Sequence, residues 1–599
     1  MALTKVNDRM LDTGTLNVKD FGATGDGTTN DTTAIQAAID AATDGSVVYF
    51  PPGTYRVDKT STGVDKYSLN LTTSGVTLKG DQATLRRFDT DISTYAKSYC
   101  IILVGTPDSN VASATERVTI EGLTFQGEDT RHSVGGNTIH DFRNAIEFKN
   151  TDTTVVRNCR FLDIDSAAII YQLPATSDME PSPSVRYNLT KNYRSKVLNC
   201  DFIAQPHTTA GRALIHAINV AGIDHCLIDG NYSEWCDDFV SGGTTYDAFD
   251  DTEDDLWTPT YSGWSLGDVK RCGRHITCSN NQCYNSSEHA FYMSLMDVVV
   301  SGNNIWTDEP TICTGDQIKC RSPAINVSIS GNTIRSQEEF NGGLIELNCD
   351  NLVSYHDNRA WLTTYRPMDN ISITGNVLEF PEAAASQVEG HTGIRIYTQI
   401  AETEFPEGQM RNITISGNTF KNYNCGIRFI NGETTNVLVS GNVFYAKPFT
   451  TSGFSSGTTL NTYAPLVANQ SGAGSTQVSM RPCTFTGNQV FGATYLVATH
   501  TAAGSSNTYY TPEGMVGNRL DYIKNIKTAD VRGIGDFPNC FSNNTGVYFL
   551  DRALPAKGGM NNSLRDGGSN DSDQKFCTQW TGTQFRFYTD DSGTFETLN

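Results

Sequence analysis

The sequence predicts an all-β chain: a right-handed parallel β-helix with a short N-terminal capping helix and a β-rich C-terminal domain. Three observations lead there. A phrase of the form apolar-x-apolar-Ser/Thr-Gly-Asn-x-apolar recurs along the chain. Its sharpest copies are Ser301-Gly302-Asn303, Ser330-Gly331-Asn332, Thr374-Gly375-Asn376, Ser416-Gly417-Asn418 and Ser440-Gly441-Asn442. The copies are spaced by roughly 22–50 residues, near the period range of solenoids and too long for hairpins. Finally, the 599 residues carry 18% charged side chains and 53 glycines, the make-up of a turn-rich β protein.

The first element is Val18 to Arg56. Thr29, Asn30 and Asp31 offer N-cap oxygens, and Ala34, Ile35, Ala38 and Ile39 give a helix one small apolar face. Asp44 and Gly45 end it. Val47 to Phe50 form a buried strand, stopped by Pro51-Pro52-Gly53. Such a helix suits the open end of a stack of strands, whose last rung otherwise exposes apolar side chains and unpaired backbone. This stretch resembles the N-terminal signature of the pectate-lyase-like superfamily of parallel β-helices, in the version carried by bacteriophage tailspikes with depolymerase activity. The resemblance implies that residues 1–16 are a neck that attaches to the virion. The recurring phrase, one coil per copy, places a β-helix of at least eleven coils over residues 17–504, and the resemblance makes 505–599 a domain for trimerisation or carbohydrate binding. It implies a homotrimer on the virion tail, joined to other tail or spike proteins through the N-terminus, assembled in the host cytoplasm and acting at the bacterial surface.

Within the β-helix, variants of the phrase run from Val118-Thr119-Ile120 through Val155, Val197, Leu227, Ile276 and Val298 to Cys483-Val490. Alternation puts one face of each strand inward, and Gly-Asn makes the bend into the next strand. A second strand follows many copies. Aligned on their third residue, these strands predict an outward stripe of Glu147, His216, Tyr292, Glu346, Arg395 and Arg428, with Ile170 the exception. Such a stripe suits a sugar-binding groove.

The formal charge of −22, with no basic run, argues against a nucleic-acid partner. No apolar run is long enough to span a membrane. The N-terminus shows no signal-peptide pattern. Fifteen cysteines are spread along the chain without the paired spacing of a zinc site. They read as buried apolar residues. No cofactor and no metal are expected.

Acid–base chemistry on a glycosidic bond usually needs two carboxyl groups. Glu234, Asp237 and Asp238 fall on one coil and Glu288 with His289 on the next, with Asp163 and Asp165 on an earlier one. Strand spacing of about 5 Å brings such groups within reach of one bond. Glu234, Asp237, Asp238 and Glu288 are therefore the candidate catalytic residues, with His216, His289, Tyr292, Glu346, Arg395 and Arg428 as candidate binders. A long insertion, 242–274, carries Tyr246, Trp257, Tyr261 and Trp264. Trp257 and Trp264 are the candidate stacking platforms for sugar rings. A partial likeness to polygalacturonase-type glycosidases rests on Asp237-Asp238, His289 and Arg395-Ile396-Tyr397 in that order. The glycines around the histidine are missing and Tyr397 stands where that family has Lys. Three readings stay open: an endo-acting hydrolase of capsule or O-antigen, a polysaccharide lyase acting on a uronate glycan, and a non-catalytic receptor-binding spike.

Overall fold

In the computed structural model of the chain, the inward residues of the repeated phrase stack into continuous columns. The structure describes residues 14–58 and then, interrupted at loops, the coil segments between 66 and 544, with three strands between 577 and 598. The chain divides into two compact units, Met1–Leu256 with Trp264–Asn304, and Trp257–Gly263 with Ile305–Asn599.

In the first unit, parallel pairing puts Val48, Leu78, Ile120, Val156, Val197, Ile228, Cys278 and Val300 in one register. All eight are buried. Beside them Phe125, Phe161 and Phe202 stack face to face, with ring centroids 5.1 and 4.8 Å apart. Cys159, Cys200, Cys226, Cys236, Cys278 and Cys283 are buried free thiols, as the sequence suggested. Burial pushes Cys226 and Cys283 up to about 12. The capping helix is Thr32–Asp40, with Ile35, Ala38 and Ile39 buried. It stops at Ala41, short of the expected Asp44-Gly45. Asp31 makes no side-chain cap bond to it. Asp31 accepts instead from the backbone of Thr24 (2.6 Å) and Gly25 (3.0 Å), while Asn30 Oδ1 takes the Thr32 amide (3.0 Å).

In the second unit a column of its own runs through Ile329, Ile373, Ile415, Val439, Phe485, Met515 and Phe541. Pairing thus continues past the boundary expected at residue 504. The phrase is still present there, as Met515-Val516-Gly517-Asn518. A three-stranded antiparallel sheet, Cys577–Trp580, Phe585–Tyr588 and Phe595–Leu598, lies beyond.

The Gly-Asn pair has two separate jobs. Glycine takes the left-handed turn, at φ +66° for Gly375 and +65° for Gly417. Asparagine turns inward. Asn332, Asn376, Asn418, Asn442, Asn488, Asn518 and Asn544 form a ladder in which each side-chain oxygen accepts both the backbone and side-chain N–H of the residue one coil before. Each amide also donates to a strand carbonyl, as Asn376 does to Ile329 (3.0 Å). The corner therefore satisfies its buried backbone without water. The first unit has a shorter ladder, Asn231–Asn281–Asn303.

Candidate functional site

The site grows from three consecutive strands of the first unit, Leu214–Asn219, Cys236–Gly242 and His289–Met293. Their register sets His216 beside Asp238 and Asp238 beside His289. Phe239, the next residue after Asp238, packs edge-on against Phe202 and Phe291 inside the coil. Alternation then aims Asp238 away from that aromatic core.

Asp238 is 5% exposed. Its Oδ1 lies 2.9 Å from His289 Nδ1, and its Oδ2 3.2 Å from His216 Nδ1. The first contact is a well-formed hydrogen bond. The second has the distance of an ion pair, but His216 Nδ1 has no aligned hydrogen-bond partner. Burial pushes the Asp238 carboxyl up. The two imidazoles outweigh it and hold the group well below the usual carboxylate range. Asp238 is thus a buried, ionised carboxylate clasped from both neighbouring coils.

The other acids are arranged around it. Asp238, Glu288 and His289 each place a polar atom within 4.8 Å of one another. Glu288 is half-buried. Ser287 Oγ hydrogen-bonds to Asp237 Oδ1, and the backbone N–H of Glu288 donates to the Asp237 carbonyl (3.0 Å). Tyr292 stands over His289, ring centroids 5.2 Å apart. Asp238, Glu288 and His289 also form a set of atoms able to hold a cation.

Glu234 lies apart, on the short strand Tyr232–Glu234. There it accepts from Tyr232 Oη (3.0 Å) and Trp235 Nε1 (3.2 Å). Trp235 was not singled out from the sequence. It occupies a corner at φ +62°, where Asp163 and Asn285 sit on other coils at +50° and +51°. A bulky side chain in that region is strained. Trp235 meets Tyr284 edge-on (6.2 Å), which makes a half-exposed aromatic corner beside Glu234. The usable signal was the Trp at a corner that elsewhere takes Asp or Asn.

The expected outward stripe divides into different columns. His216 does not align with Ile170. Ile170 pairs with Asn219, which continues through Ser241 to Tyr292, whereas His216 pairs with Ala167. The offset is three residues, and a sequence alignment of short apolar runs does not detect it.

Glu147 does share the Ile170 column, but it is buried rather than outward, with Lys149 Nζ at 3.2 Å; Glu346, Arg395 and Arg428 are in the second unit. There Lys319, Glu346, Arg395 and Arg428 share one register. Glu346 and Arg428 are 1% and 3% exposed rather than solvent-facing. Glu346 is bound by Arg395 Nη1 (2.9 Å), Lys319 Nζ (3.5 Å) and Asn348 Nδ2 (2.6 Å). Two cations from adjacent coils allow a carboxylate to be buried there. Burial and the neighbouring Glu346 charge push Asp316 up to about 7, against the pull of Lys319. Lys319 Nζ is 3.5 Å from Asp316 too. Asp316 and Lys319 were not predicted. Asp165, Tyr246, Trp257, Tyr261, Trp264 and the first 13 residues lie outside the described residues.

Comparison with known proteins adds the following. Residues 15–99 match the family model described as rhamnogalacturonase A/epimerase, pectate lyase-like. Over 43 residues, 7% of this chain, the sequence is 70% identical to alginate lyase 7 of Azotobacter vinelandii. That match spans only 5% of the relative's length. Among solved structures, the surface adhesin PfbA of Streptococcus pneumoniae is similar with 17% identity and a TM-score of 0.47. The likeness covers 72% of this chain and 90% of that one. Pre-mature bacteriophage phi29 gene product 12 is similar with 14% identity and a TM-score of 0.44, over 86% and 56%.

Proposed function

We propose that this chain is a phage tailspike depolymerase, an endo-acting glycoside hydrolase that cleaves a bacterial surface polysaccharide, capsule or O-antigen. The observation that carries the reading is the Asp238 clasp, an ionised carboxylate with a second carboxyl group, Glu288, on the next coil. Glycosidases need that pair of roles. Asp238 acts as the nucleophile or base. Glu288, nearer solvent, delivers a proton to the leaving glycosidic oxygen as the C1–O bond breaks. One carboxyl oxygen of each lies within 4.8 Å of the other, closer than the ~6.5–9.5 Å spacing of inverting enzymes. His289 and His216 are positioning residues that keep Asp238 charged. Asp237, braced by Ser287, and Glu234, beside Trp235, line the same coil. Glu346 and Arg428, buried in the second unit, have no part in glycan binding in this reading, and Trp257 and Trp264 supply aromatic stacking.

The spike role and homotrimer rest on the likeness of Val18–Arg56 to tailspike signatures. Light scattering on the purified chain tests the trimer, which requires three times the 65.4 kDa chain mass. Residues 505–599 would serve trimerisation or glycan contact.

A second reading, β-elimination on a uronate glycan, draws support from the N-terminal match to a protein named alginate lyase 7. His216, Tyr292 or His289 would then remove the C5 proton. The deciding assay follows new reducing ends and the ultraviolet absorbance of an unsaturated uronate on a panel of capsular and O-antigen polysaccharides. Reducing ends alone support hydrolysis, and both signals together replace it with elimination. Tight binding with neither signal makes the chain an adhesin.

A further inference from the structure

A second face of the first unit lies on the short strands Arg160–Leu162, Asp201–Ile203, Tyr232–Glu234 and Gln282–Tyr284. Phe161, Phe202, Ser233 and Cys283 turn inward and are buried. Alternation turns their neighbours outward, so Leu162, Ile203, Glu234 and Tyr284 form one outer column of half-buried side chains. Trp235 follows at the corner, where its backbone N–H donates to the Tyr284 carbonyl (3.1 Å).

Trp235 holds φ +62°, and Asn285 takes the same corner one coil later at +51°. Asn suits this left-handed region and a bulky aromatic residue does not. Nor is the indole a core side chain, since Trp235 is half-buried. Strain kept at a surface corner points to a function. Tyr284 meets the indole edge-on, 6.2 Å away with planes 69° apart. An edge-on pair covers at most one ring face, whereas a stacked pair covers two.

Glu234 orients the corner. Its Oε1 accepts from Trp235 Nε1 (3.2 Å) and its Oε2 from Tyr232 Oη (3.0 Å). Burial and the adjacent Glu234 push Tyr232 up to about 12, so its hydroxyl stays a donor. A carboxylate accepts about four hydrogen bonds, which leaves about two for hydroxyls of a ligand. Across these four strands the one cation is Arg160, two coils back from Tyr232 and already paired with Asp201 (3.5 Å).

We propose that Trp235, Tyr284 and Glu234 form a subsite for an uncharged pyranose residue of the glycan, beside Asp238. The proposal rests on the reading of the chain as a glycan-acting protein. The C–H face of the sugar ring packs on the indole, and two of its hydroxyls donate to Glu234. A uronate in the same place would set its carboxylate against Glu234, a like-charge contact that rejects it. The corner precedes Asp238 by three residues, at most ~11 Å of extended chain, so one oligosaccharide can span both.

The test uses the full chain, saturation-transfer NMR and tryptophan fluorescence. The probes are gluco-, galacto- and manno-hexasaccharides, with oligogalacturonate and oligomannuronate as charged counterparts. At least one neutral probe should bind, and Trp235→Asn should weaken it about 10–30-fold. Tyr284→Ala, at a regular strand position, should weaken the same probe, which provides a second variant independent of the strained corner. Glu234→Gln should narrow the preference for neutral over charged probes about 10-fold. Binding of no neutral probe overturns the proposal. So does an affinity unchanged in both Trp235→Asn and Tyr284→Ala, or a Trp235-dependent preference for the oligouronates. The subsite and the hydrolase reading fail separately. Cleavage of a polysaccharide with KM unchanged by Trp235→Asn removes the subsite and leaves the hydrolase. Trp235-dependent binding without new reducing ends removes the hydrolase and leaves the subsite.

Discussion

At the scale of single residues, Asp238 shows how a β-helix builds a reactive carboxylate. Parallel register supplies a partner from the coil on either side, so one buried acid is held by two imidazoles. Asp238→Asn keeps the shape and removes the charge. It should lower kcat by about 10²–10⁴-fold with little change in glycan affinity. A fall in affinity with kcat preserved would instead assign Asp238 to binding. Trp235 gives a second residue-scale prediction. Its left-handed backbone costs about 1–3 kcal/mol, and Asn tolerates that corner on a neighbouring coil. Trp235→Asn should therefore leave Tm within a few degrees of the parent while raising KM. An unchanged KM would show that the aromatic corner does not touch glycan.

At the scale of the element, each corner separates backbone geometry from hydrogen bonding. Gly375→Ala places a Cβ against open space, 4.0 Å from its nearest neighbour, but at φ +66°. It should cost about 1–2 kcal/mol. Asn376→Ala leaves the Asn332 amide without its acceptor and the Ile329 carbonyl without its donor. Each unsatisfied group costs about 1–3 kcal/mol, so the sum should exceed the glycine change. Urea denaturation of both variants checks the order, and equal losses would argue against the ladder as the stronger term. The ladder also explains the recurrence of the phrase. Glycine is chosen for φ, and asparagine because its amide can both accept and donate in one coil repeat.

At the scale of the whole molecule, pH dependence has one strong internal source in the second unit. Asp316 has its folded pKa raised to about 7 from 3.8. Between those values the folded chain binds more protons at this site than the unfolded chain does. Stability from this group is present below about pH 4 and is lost as pH rises through 7. Glu346, held below its ordinary value mainly by Lys319 against burial, acts oppositely at lower pH. Its contribution disappears as pH falls below the usual carboxylate range. Asp316→Asn should therefore stabilise the chain more at pH 8 than at pH 5, by a difference on the order of a few kcal/mol. Calorimetry at the two pH values checks it, and equal effects would show that Asp316 does not change protonation between them.

The solenoid was legible in the chain because its cause is local. A fixed alternation and a left-handed corner of glycine or asparagine recur along the described coils, followed from Asn231 onward by an inward asparagine, so each copy announces the next. The capping helix was legible for the same reason, although its end and its cap depended on Asp31 being drawn to Thr24 and Gly25. Asp237, Asp238, Glu288 and His289 were legible as residues, because acids near a strand start are visible in one dimension. Their arrangement was not. The loops before the strands Leu214–Asn219 and His289–Met293 differ in length, and only the tertiary pairing decides which residue faces Asp238. That pairing moved His216 three places, from the Tyr292 column to Asp238. It also buried Glu346 between Lys319 and Arg395, where the sequence had placed it facing solvent. Local repetition determined the coil. Register across coils, a long-range choice made by packing, decided the site.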